Sequence, residues 1–344
     1  MNSSEYVILL IVMIIFVWII LATIPRLKWR NEIFLIISFV LLLIFLCIRK
    51  PYSDMITYEN FFNNIDINHI EKLFENRWEV LFKILLYGIR LVTNDSHIML
   101  CIVSLITLIG PFLFIRRYSK NYLLSIVMFI TIGTFHIEFY VLRQAIAISI
   151  FLACFYLVDN KKFFKYLLAI IVASLFHKTA LVLLLVYPIV NIPRSKYKNV
   201  FLTVITILCL MFSSQISNLL MNDFYDRYAD KVFSGGGIKL LLFYIILFIV
   251  YLILKRYSRD KEKESIVKIS LFTIIMQFFA VQNNAFSRIA AYTRDSFCFI
   301  IPNSIQELNA KNRLLSSILI IVMCICYILV TNMFSDYSII FVNT

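Results

Sequence analysis

Two pairs of polar residues interrupt long apolar runs near the middle of the sequence and could bind a charged substrate. Arg143 and Gln144 open one run, and His177 and Lys178 close the next. A helix rises about 1.5 Å per residue, so the run from Arg143 to Val158 covers only about 22 Å of a roughly 30 Å hydrocarbon core. Both pairs are therefore expected just below one membrane surface, where an ionisable side chain is costly and indicates a functional site.

A third polar group occurs late in the chain. Arg288, Tyr292 and Asp295 recur at spacings of four and three, which predicts one shared helical face. Arg294 points to another side, and either Arg294 or Arg288 is expected to pair with Asp295. The alternative for Asp295 is a purely structural ion pair.

These residue types favour diphosphate binding combined with proton transfer. Arginine presents a planar fork of donors that matches phosphate oxygens, and it stays charged. A buried imidazole beside a lysine, as at His177, has its charged form disfavoured and suits a neutral proton acceptor. The alternatives are an Arg143 that only anchors a helix at the membrane edge and a His177 that only packs.

The composition places these residues in a membrane protein. Hydrophobic residues make up 61% of the 344 residues, which leaves no room for a hydrophilic domain. The net charge of +13 comes from short basic clusters between apolar spans, so it indicates topology and not a nucleic-acid surface. P-loop, GxSxG, HExxH and paired-cysteine motifs do not occur, and neither a metal nor another cofactor is expected.

The apolar runs predict one all-α membrane domain over residues 1–344, built as a bundle of about twelve transmembrane helices. The first span is expected to be retained and not cleaved as a signal peptide. The predicted spans are 6–24, 33–48, 97–115, 122–140, 143–158, 163–176, 179–192, 200–218, 239–254, 265–281, 288–304 and 314–333.

The connections divide into two kinds. Lysine and arginine cluster in every second connection, which places those connections in the cytoplasm and both termini outside. Two long outer loops, 49–96 and 219–238, carry acidic and aromatic residues, and the second is either a lid or a plain solvated loop. Within the first, residues 78–93 predict an interfacial or re-entrant helix with Glu79, Lys83 and Arg90 on one face, toward an outer cavity.

The sequence resembles the EpsG-like branch of the Wzy-type polysaccharide polymerases, along nearly the whole chain. The resemblance rests on Arg143-Gln144-x-x-Ala147, Ala173-x-x-x-His177-Lys178-x-Ala180, Asp54-x-x-x-Tyr58 with the Glu79 neighbourhood, and Arg288-x-x-x-Tyr292. The first outer loop departs most from the family pattern. Its run Glu75-Asn-Arg-Trp-Glu79 lacks the expected glycine turn and leaves the equivalent acid ambiguous.

The resemblance implies a fold of the glycosyltransferase C type and a bacterial inner-membrane enzyme. Such an enzyme joins oligosaccharide repeat units carried on undecaprenyl diphosphate at the extracytoplasmic face, making O-antigen, capsule or exopolysaccharide. The implied partners are the lipid-linked oligosaccharide, the bilayer, a chain-length regulator and other polysaccharide-assembly membrane proteins.

We assign roles on this basis. Arg143 and Arg288 bind the diphosphate with help from Lys178, and His177 acts as general base or orients the acceptor. Tyr292 supplies a positioning hydrogen bond, and Glu79 is the second candidate for the base. The remaining substrate-binding candidates are Gln144, Arg294, Asp54 and Tyr58.

Two other functions stay open. A polysaccharide O-acyltransferase would use His177 as its base and would need an acyl-CoA path from the cytoplasm. A transporter or flippase for lipid-linked oligosaccharide predicts charged residues along the whole depth of several helices and two related halves, which the sequence does not show.

Overall fold

A computed structural model describes residues 3–25, 27, 29–52, 54–132, 134–191, 236–256, 264–281, 285–331 and 334. Its regular elements are helices, which confirms the all-α fold class. The predicted span 200–218 and the part of the second outer loop up to residue 235 lie outside the described residues. The α-helices are α1 Ser3–Thr23, α2 Arg30–Cys47, α3 Asp54–Asn63, α4 Val80–Arg90, α5 Ser96–Tyr118, α6 Tyr122–Ile132, α7 Thr134–Ile137, α8 Leu142–Cys154, α9 Tyr156–Asp159, α10 Phe163–Ser174, α11 Val186–Asn191, α12 Gly236–Lys255, α13 Glu264–Ala280, α14 Ala285–Ala291, α15 Phe297–Gln306 and α16 Ala310–Thr331.

Six stretches of helix in the described residues are long and apolar enough to cross a membrane. Shorter apolar helices occur at Tyr122–Ile132, Phe163–Ser174 and Lys178–Asn191. The long helices expose large apolar side chains such as Phe16 and Ile36, as expected where lipid replaces water around a bundle. The chain is therefore a multi-pass membrane protein. The six long stretches are Ser4–Thr23, Arg30–Cys47, Ser96–Tyr118, Leu142–Asp159, Gly237–Lys255 and Ala310–Thr331.

Four of the predicted spans are not single helices. Span 122–140 contains α6 and α7, span 143–158 contains α8 and α9, and span 179–192 begins as a 3₁₀ helix over Lys178–Leu185 that continues into α11. Span 288–304 is divided into α14, a 3₁₀ turn at Arg294–Ser296 and α15. At that break the Thr293 hydroxyl bonds the Thr273 hydroxyl of α13 at 2.8 Å, so side-chain hydrogen bonds between helices accompany the turn.

Helices α5 and α8 approach each other closely. A Cβ at Gly110 would lie only 2.0 Å from the Ser149 carbonyl oxygen, so only glycine permits this approach. Pro111 follows within α5. The Ser149 hydroxyl accepts from the Gly110 N–H at 2.9 Å and donates to the Ile106 carbonyl at 2.8 Å. One hydroxyl thus bridges a donor and an acceptor of α5 that lie four residues apart.

Several of the basic connections lie together at one end of the bundle. Lys120 pairs with Glu307 at 2.6 Å, Arg116 pairs with Glu32 at 3.1 Å, and the Tyr118 hydroxyl donates to Asp159 at 2.6 Å. These contacts join the start of α2, the turn between α5 and α6, the end of α9 and the end of α15. We call this the basic end.

The first outer loop folds as a small helical cap. Helix α3, a 3₁₀ helix at Ile70–Phe74 and helix α4 bury a separate apolar cluster with the first turns of α5 and α8. Helix α4 has 11 residues and rises only about 16 Å, too short to cross a bilayer. Because α5 and α8 lead from this cap toward Tyr118 and Asp159, the cap lies at the end of the bundle opposite the basic end.

Candidate functional site

The cap positions a carboxylate at the start of helix α4. Glu79 is the N-cap residue of α4, with an extended backbone. The Leu81 N–H donates to the Leu175 carbonyl at 3.0 Å, which fixes the first turn of α4 to the C-terminal end of α10. This contact brings Glu79 beside the residues that follow α10.

Glu79 connects three segments that are distant in the sequence. Its Oε2 accepts from Nη1 of Arg143 at 2.6 Å, and its Oε1 accepts from the Lys178 N–H at 3.1 Å. The same Oε1 lies 3.5 Å from Nδ1 of His177. We call Glu79, Arg143, His177 and the backbone of Lys178 the Glu79 cluster. The carboxylate and imidazole are only 7% and 6% exposed, so the contacts operate in a poorly solvated place.

Aromatic rings hold the guanidinium of Arg143. Its Nε lies 3.4 Å from the Tyr58 hydroxyl, and its central carbon lies 5.9 Å from the Tyr58 ring and 5.3 Å from the Trp78 ring. Trp78 and Tyr58 pack edge to face at 5.1 Å between centroids. A guanidinium over aromatic faces with a carboxylate on one edge has little rotational freedom. Its side chain remains 21% exposed, so part of it is accessible from outside the cluster.

His177 occupies a short extended segment between α10 and the 3₁₀ helix. Its backbone has φ −157° and ψ 113°, and its side chain is buried. Within the described residues, Nε2 makes no hydrogen bond. Burial and the charges of Arg143 and Arg288 lower the pKa of His177, and the Glu79 carboxylate only partly offsets them. The imidazole is thus neutral at neutral pH and has an unused nitrogen.

Glu79 itself is a poor proton acceptor in this setting. Burial opposes its ionisation, but the contact with His177 and the charge of Arg143 outweigh burial and hold the pKa of Glu79 at about 2. A carboxylate that binds a proton so weakly stays charged across the physiological range. It is suited to fixing the positions of Arg143 and His177.

The segment from Arg288 to Tyr292 contacts the helices that carry the Glu79 cluster through its backbone and one hydroxyl. Gln144 donates from Nε2 to the Arg288 carbonyl at 2.6 Å. The Tyr292 and Thr179 hydroxyls lie 2.9 Å apart. The charge of Arg288 acts on both His177 and Tyr58, which places its guanidinium within electrostatic range of both. Helix α14 therefore lies beside α8 and the 3₁₀ helix.

The expected shared face of Arg288, Tyr292 and Asp295 is wrong. Helix α14 ends at Ala291, so the spacings of four and three no longer follow one helix. Asp295 is buried and its Oδ1 accepts from the Thr134 hydroxyl of α7, and the charge of the adjacent Arg294 acts on it. Within the described residues, neither Asp295 nor Arg294 hydrogen-bonds to the Glu79 cluster.

Other predicted residues lie around the cluster in different ways. The Lys178 side chain is exposed, and only its N–H contacts Glu79. Asp54 acts electrostatically on Tyr58 and on Tyr140, without a hydrogen bond to the cluster among the described residues.

Lys83 and Arg90, predicted to share a polar face of α4 with Glu79, do not contact the site. Lys83 is buried and donates to the Asn76 carbonyl at 2.7 Å. Arg90 donates to the Asn63 and Asn94 carbonyls and lies over the Phe62 ring. Both therefore stabilise the cap and do not line the site.

A second buried polar group was missed by the sequence analysis. Glu138 accepts from the Thr107 hydroxyl at 3.0 Å, and the buried Arg49 lies over the Phe139 ring at 5.8 Å and acts on Glu138 electrostatically. A charged residue at or inside an apolar run was the signal that could have found it. Trp78 was also missed as a neighbour of Arg143. No group of three or more His, Cys, Asp or Glu side chains suited to a metal occurs in the described residues.

Comparison with known proteins identifies a family for this chain. The sequence model of the EpsG family matches residues 32–341, which is most of the chain. No curated protein and no solved structure matches the chain significantly. The matched range contains all the residues of the Glu79 cluster.

Proposed function

The chain belongs to the EpsG family of membrane polysaccharide-assembly proteins, and from this premise we propose that it is a polysaccharide polymerase. Its substrate is an oligosaccharide repeat unit on undecaprenyl diphosphate, and its product is a surface polysaccharide. The reaction takes place at the extracytoplasmic face of the bacterial inner membrane.

The observation that supports this proposal most strongly is the Glu79 cluster. One buried carboxylate holds an arginine and a neutral histidine together, with Arg288 and Lys178 nearby. The positive charges of Arg143, Arg288 and Lys178 outnumber the two nearby carboxylates of Glu79 and Asp54, so the site is net positive, as a diphosphate requires. A histidine with an unused nitrogen beside them supplies the proton acceptor.

The reaction needs a diphosphate-binding group and a proton acceptor next to each other. A hydroxyl of the incoming repeat unit attacks the anomeric carbon of the growing chain. A new C–O bond forms, the C–O bond to the lipid diphosphate breaks, and the diphosphate leaves with the bonding electrons. The hydroxyl proton passes to a base, and the negative charge that develops on the leaving group is stabilised by fixed cations.

We propose the following residue roles, which this geometry supports. Arg143 and Arg288 bind the diphosphate with Lys178, and Nε2 of His177 takes the proton. Glu79 fixes both Arg143 and His177, and its pKa of about 2 makes it a weak proton acceptor, so we keep His177 and not Glu79 as the base. Gln144 and Tyr292 position the segment that carries Arg288. Tyr58, Asp54 and Arg294 are proposed to contact the substrate around it.

The wider assignment rests on the family and the sequence pattern. We propose one membrane domain over 1–344 with about twelve spans and a glycosyltransferase C-like arrangement, with outer loops 49–96 and 219–238. The basic end is cytoplasmic, so the Glu79 cluster faces outward. A chain-length regulator and other assembly proteins are the proposed partners.

Reconstitution tests this function. Purified protein in liposomes is supplied with a synthetic undecaprenyl-diphosphate repeat unit, and the products are separated by size. We expect a ladder of products. Arg143→Ala and His177→Ala each lower its rate by about 100-fold or more, since each removes one fixed charge or proton acceptor from the transition state.

Matched control variants distinguish the loss of a site residue from a general loss of folded protein. Arg313→Ala removes an arginine from the basic end, and His69→Ala removes an exposed histidine of the cap that pairs with Glu71. Both should keep the ladder within about twofold. A wild-type protein that leaves the repeat unit unchanged, or that instead transfers an acetyl group from acetyl-CoA to it, would refute the proposal.

A further inference from the structure

A cavity at the basic end combines two arginines with an apolar wall. Its volume is about 310 Å³, and it lies between the last two turns of α5 and the end of α8. Arg116 and Arg117 come from α5, and Leu152 and Ala153 come from α8. This volume is at the lower end of the roughly 300–1,000 Å³ typical of small-ligand sites.

The arginines retain donors for a ligand. Arg116 uses Nε for Glu32 at 3.1 Å, while its side chain stays 62% exposed. The guanidinium of Arg117 lies 4.3 Å from the centroid of the Tyr156 ring, a cation–π contact that does not use its N–H donors. Within the described residues, Arg117 forms no ion pair. The nearby Tyr118 hydroxyl is already donated to Asp159.

The cavity opens toward lipid on one side. Leu113, one turn before Arg117, is 47% exposed and belongs to a helix long and apolar enough to cross the membrane. A ligand seated here would therefore meet fixed positive charge at the membrane surface and apolar side chains toward the membrane interior. An amphiphile with a phosphate head and an acyl chain has this same division of polarity.

We propose that this cavity binds the phosphate group of an anionic phospholipid from the leaflet at the basic end. The arginines contact the phosphate as hydrogen-bond donors, and Leu113 and Leu152 contact the start of an acyl chain. The site is separate from the Glu79 cluster, which lies at the other end of α8. Its occupancy does not depend on the polymerase function.

Native mass spectrometry of the full-length protein in detergent tests this inference. Phosphatidylglycerol is titrated against wild-type protein, and the Arg116→Gln/Arg117→Gln double variant is compared with it. We expect the double variant to bind phosphatidylglycerol at least about tenfold more weakly, because each basic residue near a lipid head contributes about 1 kcal/mol. Phosphatidylcholine, which lacks the net charge, should bind wild-type protein about as weakly as the double variant binds phosphatidylglycerol.

The controls distinguish charge loss from misfolding. Lys311→Gln removes an exposed cation of the basic end outside the cavity and should bind phosphatidylglycerol as wild type does. Arg116→Lys/Arg117→Lys keeps the charge and should bind within a few-fold of wild type, while the thermal unfolding of all variants is recorded. Equal binding by wild type and the glutamine variant would overturn the proposal. Displacement of phosphatidylglycerol by 50 mM inorganic phosphate would also overturn it, because the site would then take free phosphate and not a lipid.

Discussion

At the scale of single residues, Glu79 has a different role from the one its type suggests. A carboxylate in an enzyme is often a base, but here it accepts from Arg143 and from the Lys178 N–H and contacts His177. The charge of the Glu79 carboxylate therefore holds Arg143, His177 and the Lys178 N–H in place. The buried imidazole of His177, with its unused nitrogen, is the group whose protonation should limit activity.

The pH dependence follows from the lowered pKa of His177. Burial favours the neutral imidazole, so polymerisation should continue below the pH at which an exposed histidine is protonated and should fall only at more acidic pH. Glu79 raises this pKa, so Glu79→Gln should move the acidic limb of the rate profile to still lower pH. The variant should also lose about 10- to 100-fold in rate at neutral pH, because Arg143 and His177 lose their common partner.

The profile of kcat/KM against pH for wild-type and Glu79→Gln protein measures this effect. Glu75→Gln, which changes a neighbouring glutamate outside the cluster, is the control and should keep the wild-type profile. If Glu79 were the base, its glutamine variant would lose activity at every pH and have no acidic limb to shift.

At the scale of elements, the contact between α5 and α8 determines where Arg143 lies. Gly110 lets the two backbones touch, and the Ser149 hydroxyl bridges the Gly110 N–H and the Ile106 carbonyl. Arg143 is on the first turn of α8, so any separation of these helices moves it relative to Glu79 on the cap.

Gly110→Ala should therefore destabilise the protein by about 3 kcal/mol or more, because the new Cβ meets backbone atoms that cannot move independently. Gly88→Ala is the matched control in α4, where nothing lies within 4 Å of the added Cβ. It should be neutral or stabilising by up to about 1 kcal/mol, since alanine is the better helix former. Thermal unfolding in detergent measures both, and equal stability of the two variants would contradict the close approach.

At the scale of the whole molecule, ion pairs cluster at the two ends of the bundle. The basic end is held by Lys120 with Glu307 and by Arg116 with Glu32, while the cap and the Glu79 cluster occupy the other end. This separation is what a membrane protein with one reactive face requires, and it supports an outward-facing site.

Cysteine labelling tests this orientation. In a variant without its native cysteines, Lys72→Cys on the cap should react with a membrane-impermeant maleimide in intact cells. Lys162→Cys, in the exposed turn before α10, should react only after permeabilisation. The opposite pattern would place the Glu79 cluster inside the cell and remove the proposed function.

The sequence by itself determined the helical membrane class and the approximate positions of the described helices, and it singled out Arg143, His177 and Arg288 as candidate site residues. Apolar runs and their interruptions are local signals, and desolvation makes polar residues within them costly enough to be informative. Only the tertiary structure decided that Glu79 contacts both Arg143 and His177. It also decided that Asp295 accepts a hydrogen bond from Thr134, and that Lys83 and Arg90 stabilise the cap. Those outcomes depend on how the helices pack and where they end. A hydrogen bond between residues 64 or 99 positions apart produces no periodic pattern in the sequence from which it could be predicted.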